Sequence, residues 1–94
     1  MIKRLVKLHI EKGNEHVFQS IFNERQEKIK SFDGCQHVEL WQEVNRPQIF
    51  FTYSIWDSEQ HLDAYRFSEF FKETWSLCKA IFESKAEAWS VQNS

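Results

Sequence analysis

The sequence predicts an α+β domain in which one four-stranded antiparallel sheet carries two helical regions on a single face. Three observations lead there. The run Ile49 to Trp56, IFFTYSIW, is unbroken in apolar, aromatic and β-branched residues, the composition of a strand in the middle of a sheet. Two stretches, around Phe18 to Phe32 and around Phe71 to Phe82, repeat their apolar residues at the spacing of helices with one buried stripe. The remaining apolar stretches are short and alternate in character, as strands with two unlike faces do.

Taken in order, the first strand runs from Ile2 to Ile10, with Ile2, Val6, Leu8 and Ile10 on one face and Lys3, Leu5, Lys7 and His9 on the other. Gly13-Asn14 marks a turn in which Asn14 serves as helix cap, and Glu15 is favoured in the first turn by the helix dipole. Phe18, Ile21, Phe22, Arg25, Ile29 and Phe32 define the inward stripe of a helix of about five turns, closed by Gly34 in a left-handed conformation. Cys35 to Val44 alternates Val38, Leu40 and Val44 against His37, Glu39, Trp41 and Glu43, a second strand. Asn45-Arg46-Pro47 is short enough to return it as a hairpin onto Ile49 to Trp56. At Trp56-Asp57-Ser58 strand chemistry gives way to a helix start, with Asp57 as the cap and Gln60 answering it three residues on. A short helix then carries His61, Leu62 and Tyr65 on one side, and Ser68 caps a further helix beginning at Glu69. Its stripe is Phe71, Trp75, Cys78 and Phe82, widened by Phe70, Leu77 and Ile81. Ala86 to Gln92 is the last strand, Ala86, Ala88 and Ser90 alternating with Trp89 and Val91. Strand, helix, strand, strand, helix, strand is the ferredoxin-like order βαββαβ.

Composition narrows the function classes. The 94 residues make one domain, 1–94, near the size at which a lone core is only modestly stable. A net charge of -2 offers no basic footprint for nucleic acid or for an anionic membrane surface, and no long apolar run marks a membrane span or a secretory leader. A soluble, cytoplasmic protein is expected, with Cys35 and Cys78 as reduced, packed thiols. If Val6, Leu8, Val38 and Leu40 meet the helices, then Leu5, His9, His37, Trp41 and part of the Ile49 strand point to the far side, which is too apolar for water. A second copy is the economical cover, so a homodimer joined sheet to sheet is expected.

The stretch FTYSIWDSEQHLDAYR, followed by SEFFKETW and a closing AEAWSV, resembles the antibiotic biosynthesis monooxygenase type of domain, in the dimeric α+β barrel group. The resemblance spans nearly the whole chain, and its most specific piece is Trp56-Asp57-Ser58-Glu59-Gln60. It implies a homodimer and a ligand site at the strand-to-helix junction, in a family whose chemistry is mixed. In the cofactor-free polyketide oxygenases of that family, an asparagine four residues before the junction tryptophan and a tyrosine six residues after it belong to the site. Here Trp56 is present, but those positions hold Thr52 and Leu62, with Tyr65 on a similar side of the helix as a displaced phenol. Haem-degrading members ligate iron through a histidine where this chain has Trp75, and indole is no iron ligand, so haem is not expected.

The chemistry implied by that resemblance needs no cofactor: a phenol is bound, loses its proton, and its anion reacts with oxygen away from water. Trp56, Tyr65 and Trp75 supply aromatic walls, while His61 or Arg66 steadies the phenolate. His9, His16, His37 and His61 show no metal-binding spacing, so no metal is expected. With only Gly13 and Gly34, the chain has no glycine-rich phosphate loop. The alternative is a dimeric module that binds a small aromatic ligand without turning it over.

Overall fold

The computed structural model describes residues 1–94. Its elements are β1 (Ile2–His9), α1 (Glu15–Lys30), β2 (Cys35–Gln42), β3 (Ile49–Trp56), α2 (Glu59–Arg66), α3 (Glu69–Lys79) and β4 (Glu87–Val91). The strands form one antiparallel sheet in the order β2-β3-β1-β4, so the run that is apolar on both faces is an interior strand, as its composition requires. Register then fixes which side chains meet the helices. Across the inward face Leu8 stands opposite Phe50, Val6 opposite Thr52 and Ala88, and Arg4 opposite Ser54 and Ser90.

Helix ends follow local hydrogen bonding more closely than apolar spacing, and here the sequence-based boundaries need correction. Helix α1 has 16 residues and stops at Lys30, because the Ser31 N–H reaches back to Glu27 and Lys28 and the Phe32 N–H to Ile29, tightening the last turn. Phe32 therefore lies beyond the helix. Gly34 is left-handed, with φ +83°, but it turns the chain into β2 instead of capping α1. Asn14 makes no side-chain cap; its amide donates to Glu11 while Glu15 accepts from the Gly13 N–H. At the start of α2 the cap is Ser58, one residue past the expected Asp57, whose carboxylate instead accepts from the Gln36 side chain (2.9 Å). Val44 is exposed beyond the end of β2, and Leu77, expected to widen the buried stripe of α3, faces solvent.

Ser68 behaves as its sequence position predicts. Its hydroxyl donates to the Tyr65 carbonyl (2.6 Å) and accepts from the Phe71 N–H (3.1 Å), so one side chain ends α2 and starts α3. Ser68→Ala is expected to lower stability by about 1 kcal/mol or somewhat more, and Ser68→Asp to recover the cap at α3, both read from denaturant midpoints at constant slope.

The core is divided. Leu8, Ile10, Phe18, Phe50 and Cys78 pack at one end, and Phe22, Ile29, Val38, Trp56 and Leu62 at the other. Phe50 and Trp56 have no exposed surface, which anchors both ends of β3. The opposite face of the sheet has no such cover. Trp41 is 43% and Trp89 44% exposed, and Trp41 stacks on Tyr53 at 4.9 Å with His37 edge-on to the same ring. Aromatic area of this kind facing water is the signature of a contact surface. No helix is long and apolar enough to cross a membrane.

Candidate functional site

Between the sheet and the helices the two halves of the core are joined through Leu40, and a cavity of about 320 Å³ lies there. Its origin is legible in side-chain size. The floor across β3, β1 and β4 is built from Thr52, Ser54, Val6 and Ala88, with Ala86 beside them, and residues this small under the helices leave volume unfilled. Phe18, Phe22 and Ile29 of α1, Leu62 and Tyr65 of α2, and Phe71 and Trp75 of α3 form the walls. The volume sits at the lower end of the range for small-molecule sites, roughly 300–1,000 Å³, and far exceeds the ~30 Å³ share of one water.

Five of the seven residues singled out from the sequence line this cavity: Thr52, Leu62, Tyr65, Arg66 and Trp75. Tyr65 is held from three sides. It stacks on Trp56 with centroids 5.0 Å apart and meets Phe32 and Phe71 edge-on at 5.0 and 5.1 Å. Trp75 stacks on Phe71 at 5.7 Å, so a row of rings runs Trp56, Tyr65, Phe71, Trp75 along the helical wall.

Trp56 and His61 are placed elsewhere. Trp56 is completely buried behind Tyr65, its Nε1–H donating to Ser54 Oγ (3.0 Å), so it backs the wall without facing the cavity. A residue that closes β3 on its inward face must enter the core, and the junction motif does not say which ring is in front. His61 packs on Gly34 outside the cavity. Its Nδ1 lies 2.7 Å from Ser58 Oγ and its Nε2 3.5 Å from Asp33. That line of serine, histidine and aspartate is no nucleophile system, since Ser58 Oγ is committed to capping α2 and Asp33 is 98% exposed. No three His, Cys, Asp or Glu side chains converge as metal ligands.

The sequence reading passed over Arg4, Arg25, Ser54 and Thr74, all of which line the cavity. Arg4 donates to Ser90 Oγ (2.9 Å), and Arg66 lies 3.7 Å from Asp63. Burial first, and the neighbouring Arg66 charge second, hold the Arg4 guanidinium below its usual range, with Asp63 acting the other way. Arg25 is only 18% exposed at its side chain and reaches Glu24 and the Ile21 carbonyl at 3.5 Å. Thr74 Oγ1 is buried with no hydrogen-bond partner. The signal for the two arginines was in the pattern: Arg4 interrupts an otherwise apolar inward face, and Arg25 sits within the apolar stripe of α1.

The titrating groups at the cavity are all poor bases. Burial pushes the Tyr65 phenol well above its ordinary range, and it raises the Cys78 thiol to about 11 although Arg25 pulls the other way. At neutral pH the lining therefore offers a phenol O–H, a thiol, hydroxyls and three guanidiniums, with no carboxylate and no imidazole. Such a set can donate to an oxyanion and shelter a ring. It cannot strip a proton from a weak acid unaided.

The family model described as antibiotic biosynthesis monooxygenase matches residues 1–75. Among solved structures, the chain is similar to a crystal structure of an antibiotic biosynthesis monooxygenase at 18% identity and TM-score 0.92, covering 100% of this chain and 99% of that one. It is also similar to a conserved protein from Methanosarcina mazei Go1 at 22% identity and TM-score 0.93, over 99% and 92% of the two chains. A protein from Mycobacterium tuberculosis aligns at 10% identity and TM-score 0.90, over 99% and 94%. No curated protein sequence matches the chain. At these identities the solved structures establish the fold alone.

Proposed function

The chain belongs to the antibiotic biosynthesis monooxygenase family, and from that premise we propose that it is a cofactor-independent monooxygenase acting on a small phenolic or quinone-like metabolite. The observation that carries this reading is the ring-walled cavity bordered by arginines and containing no base. A flat ring lies against Tyr65, Phe71 and Trp75. Arg66, with the Tyr65 O–H, holds the substrate oxygen as its anion, which lowers the acidity threshold the missing base would otherwise have to overcome. Thr52 and Leu62 occupy the floor and wall where the family's polyketide oxygenases carry asparagine and tyrosine, so hydrogen bonding there falls to the Thr52 hydroxyl. With a hydroquinone, one O2 gives a hydroxyquinone and one water, the substrate supplying all four electrons and one oxygen atom entering the ring.

Oxygen uptake with a panel of hydroquinones tests this directly. One O2 is expected per substrate, with kcat falling by about 10²-fold or more in Tyr65→Phe and Arg66→Gln, by analogy with loss of an oxyanion donor. Full activity in both folded variants would remove Tyr65 and Arg66 from the mechanism.

A second reading, a dimeric ligand-binding module without chemistry, is favoured by the replacement of the family's asparagine and tyrosine with Thr52 and Leu62. It is distinguished by ligand retention with no oxygen uptake across the same panel. In either case the protomer is one domain, residues 1–94, of a cytoplasmic homodimer. The exposed Trp41 and Trp89, with the half-buried Tyr53 stacked on Trp41, support a sheet-to-sheet contact, and a monomer in sedimentation at micromolar concentration would remove that interface.

A further inference from the structure

The charged residues lining the cavity are Arg4, Arg25 and Arg66, with no acidic residue among them, in a chain whose net charge is -2. That imbalance is only partly neutralised from outside the cavity. Arg66 pairs with Asp63 at 3.7 Å and Arg25 with the exposed Glu24 at 3.5 Å, whereas Arg4 feels Asp63 without an ion pair of its own and donates to the hydroxyl of Ser90. Arg4 and Arg66 lie close enough for the charge of one to disfavour that of the other, and both are half-buried beside exposed Ala88, where the cavity meets solvent. Thr74 Oγ1, also in the lining, is buried and unpaired. Two cations in mutual repulsion at the edge of an apolar space are relieved by an occupant that is apolar in its body and anionic at one end.

We propose that the cavity selects aromatic carboxylic acids, the ring occupying the space between Tyr65 and Trp75 and the carboxylate held at the open side by Arg4 and Arg66. The planar guanidinium fork matches a carboxylate in geometry as well as in charge. This rests on the substrate reading above and sharpens it: the phenolic substrate also bears a carboxylate, adjacent to the phenol oxygen so that Arg66 borders both groups, with Arg4 on the carboxylate and the Tyr65 O–H on the phenol oxygen. A carboxylate enters already ionised, so holding it asks only for cations and not for a base.

The test is calorimetric titration of the full chain with 2-naphthoate and with its uncharged isostere 2-naphthamide. Naphthoate is expected to bind at least about tenfold more tightly, as charge-assisted hydrogen bonds imply, and the gap is expected to narrow with added salt. The preference should shrink in Arg4→Gln and in Arg66→Gln and vanish in the double variant, with an unchanged circular dichroism spectrum and a cooperative melt reporting that the double variant is folded. Equal affinity for the two probes in the unaltered protein overturns the proposal, whatever the variants do. So does binding of neither probe, or a preference that survives in a folded double variant. Carboxylate preference without oxygen uptake on any hydroquinone would sustain the inference and defeat the oxygenase reading; oxygen uptake without the preference would do the reverse.

Discussion

Trp56→Ala is expected to remove about 3–5 kcal/mol of stability. A domain of this length has roughly 5–14 kcal/mol in total, so the variant should melt roughly 15 °C or more below the parent, or fail to fold. The indole has no exposed surface, closes β3 against Phe22, Ile29, Val38 and Leu62, and gives its only N–H to Ser54. Its removal leaves a large void and takes the stacking partner from Tyr65. Trp56→Phe keeps most of the apolar volume and loses the hydrogen bond, so about 1–2 kcal/mol is expected. Because Trp56 does not face the cavity, ligand affinity in Trp56→Phe should change only as far as Tyr65 shifts. An alanine variant melting with the parent would show that the ring is not the keystone of that half of the core.

The second large effect is expected at Gly34, with Gly13 as its control. Both glycines adopt positive φ, +83° and +98°, and alanine in that region costs about 1–2 kcal/mol at either place. Their surroundings differ. A methyl at Gly13 meets nothing within 4 Å, whereas at Gly34 it collides with the His61 ring and its Cβ. Since Cβ is involved, rotating the imidazole does not clear the space, and the first turn of α2 must move, disturbing the Asp57 N–H to Gly34 carbonyl bond of 2.8 Å. Gly34→Ala should therefore lose about 1–3 kcal/mol more than Gly13→Ala, the usual range for overpacking. Equal losses in urea titrations would mean that α2 yields freely at its start.

The fold was legible because the strongest signals were long range in the chain and simple in kind. A strand apolar on both faces has to be interior, and Ser68 before Glu69 could hardly be anything except a cap. What misled was the assumption that one residue type does one job. Asp57 and Asn14 are good caps in isolation, yet Asp57 is engaged by Gln36 across the β2 end and Asn14 by Glu11, contacts that spacing cannot reveal. The site was half visible. Aromatic positions at helical spacing bring Tyr65 and Trp75 into the cavity lining, but the junction motif that singles out Trp56 does not distinguish the front of a wall from its back, and Trp56 stands behind Tyr65. The arginines were in plain view as breaks in two apolar patterns. Arg4 is recognised as a lining residue only once the register shows it opposite Ser54 and Ser90, beside small residues that leave room.

The floor of Thr52, Ser54, Ala86 and Ala88 separates two kinds of information in the chain. Neither Thr52 nor Ala88 belongs to the buried packing that holds the elements together, which falls to Phe50, Trp56 and their neighbours. Depth at the bottom of the hollow is thus written in a few short side chains whose enlargement, one methyl at a time, would trim the guest without rewriting the scaffold. The shape of the hollow can therefore change independently of the fold that encloses it.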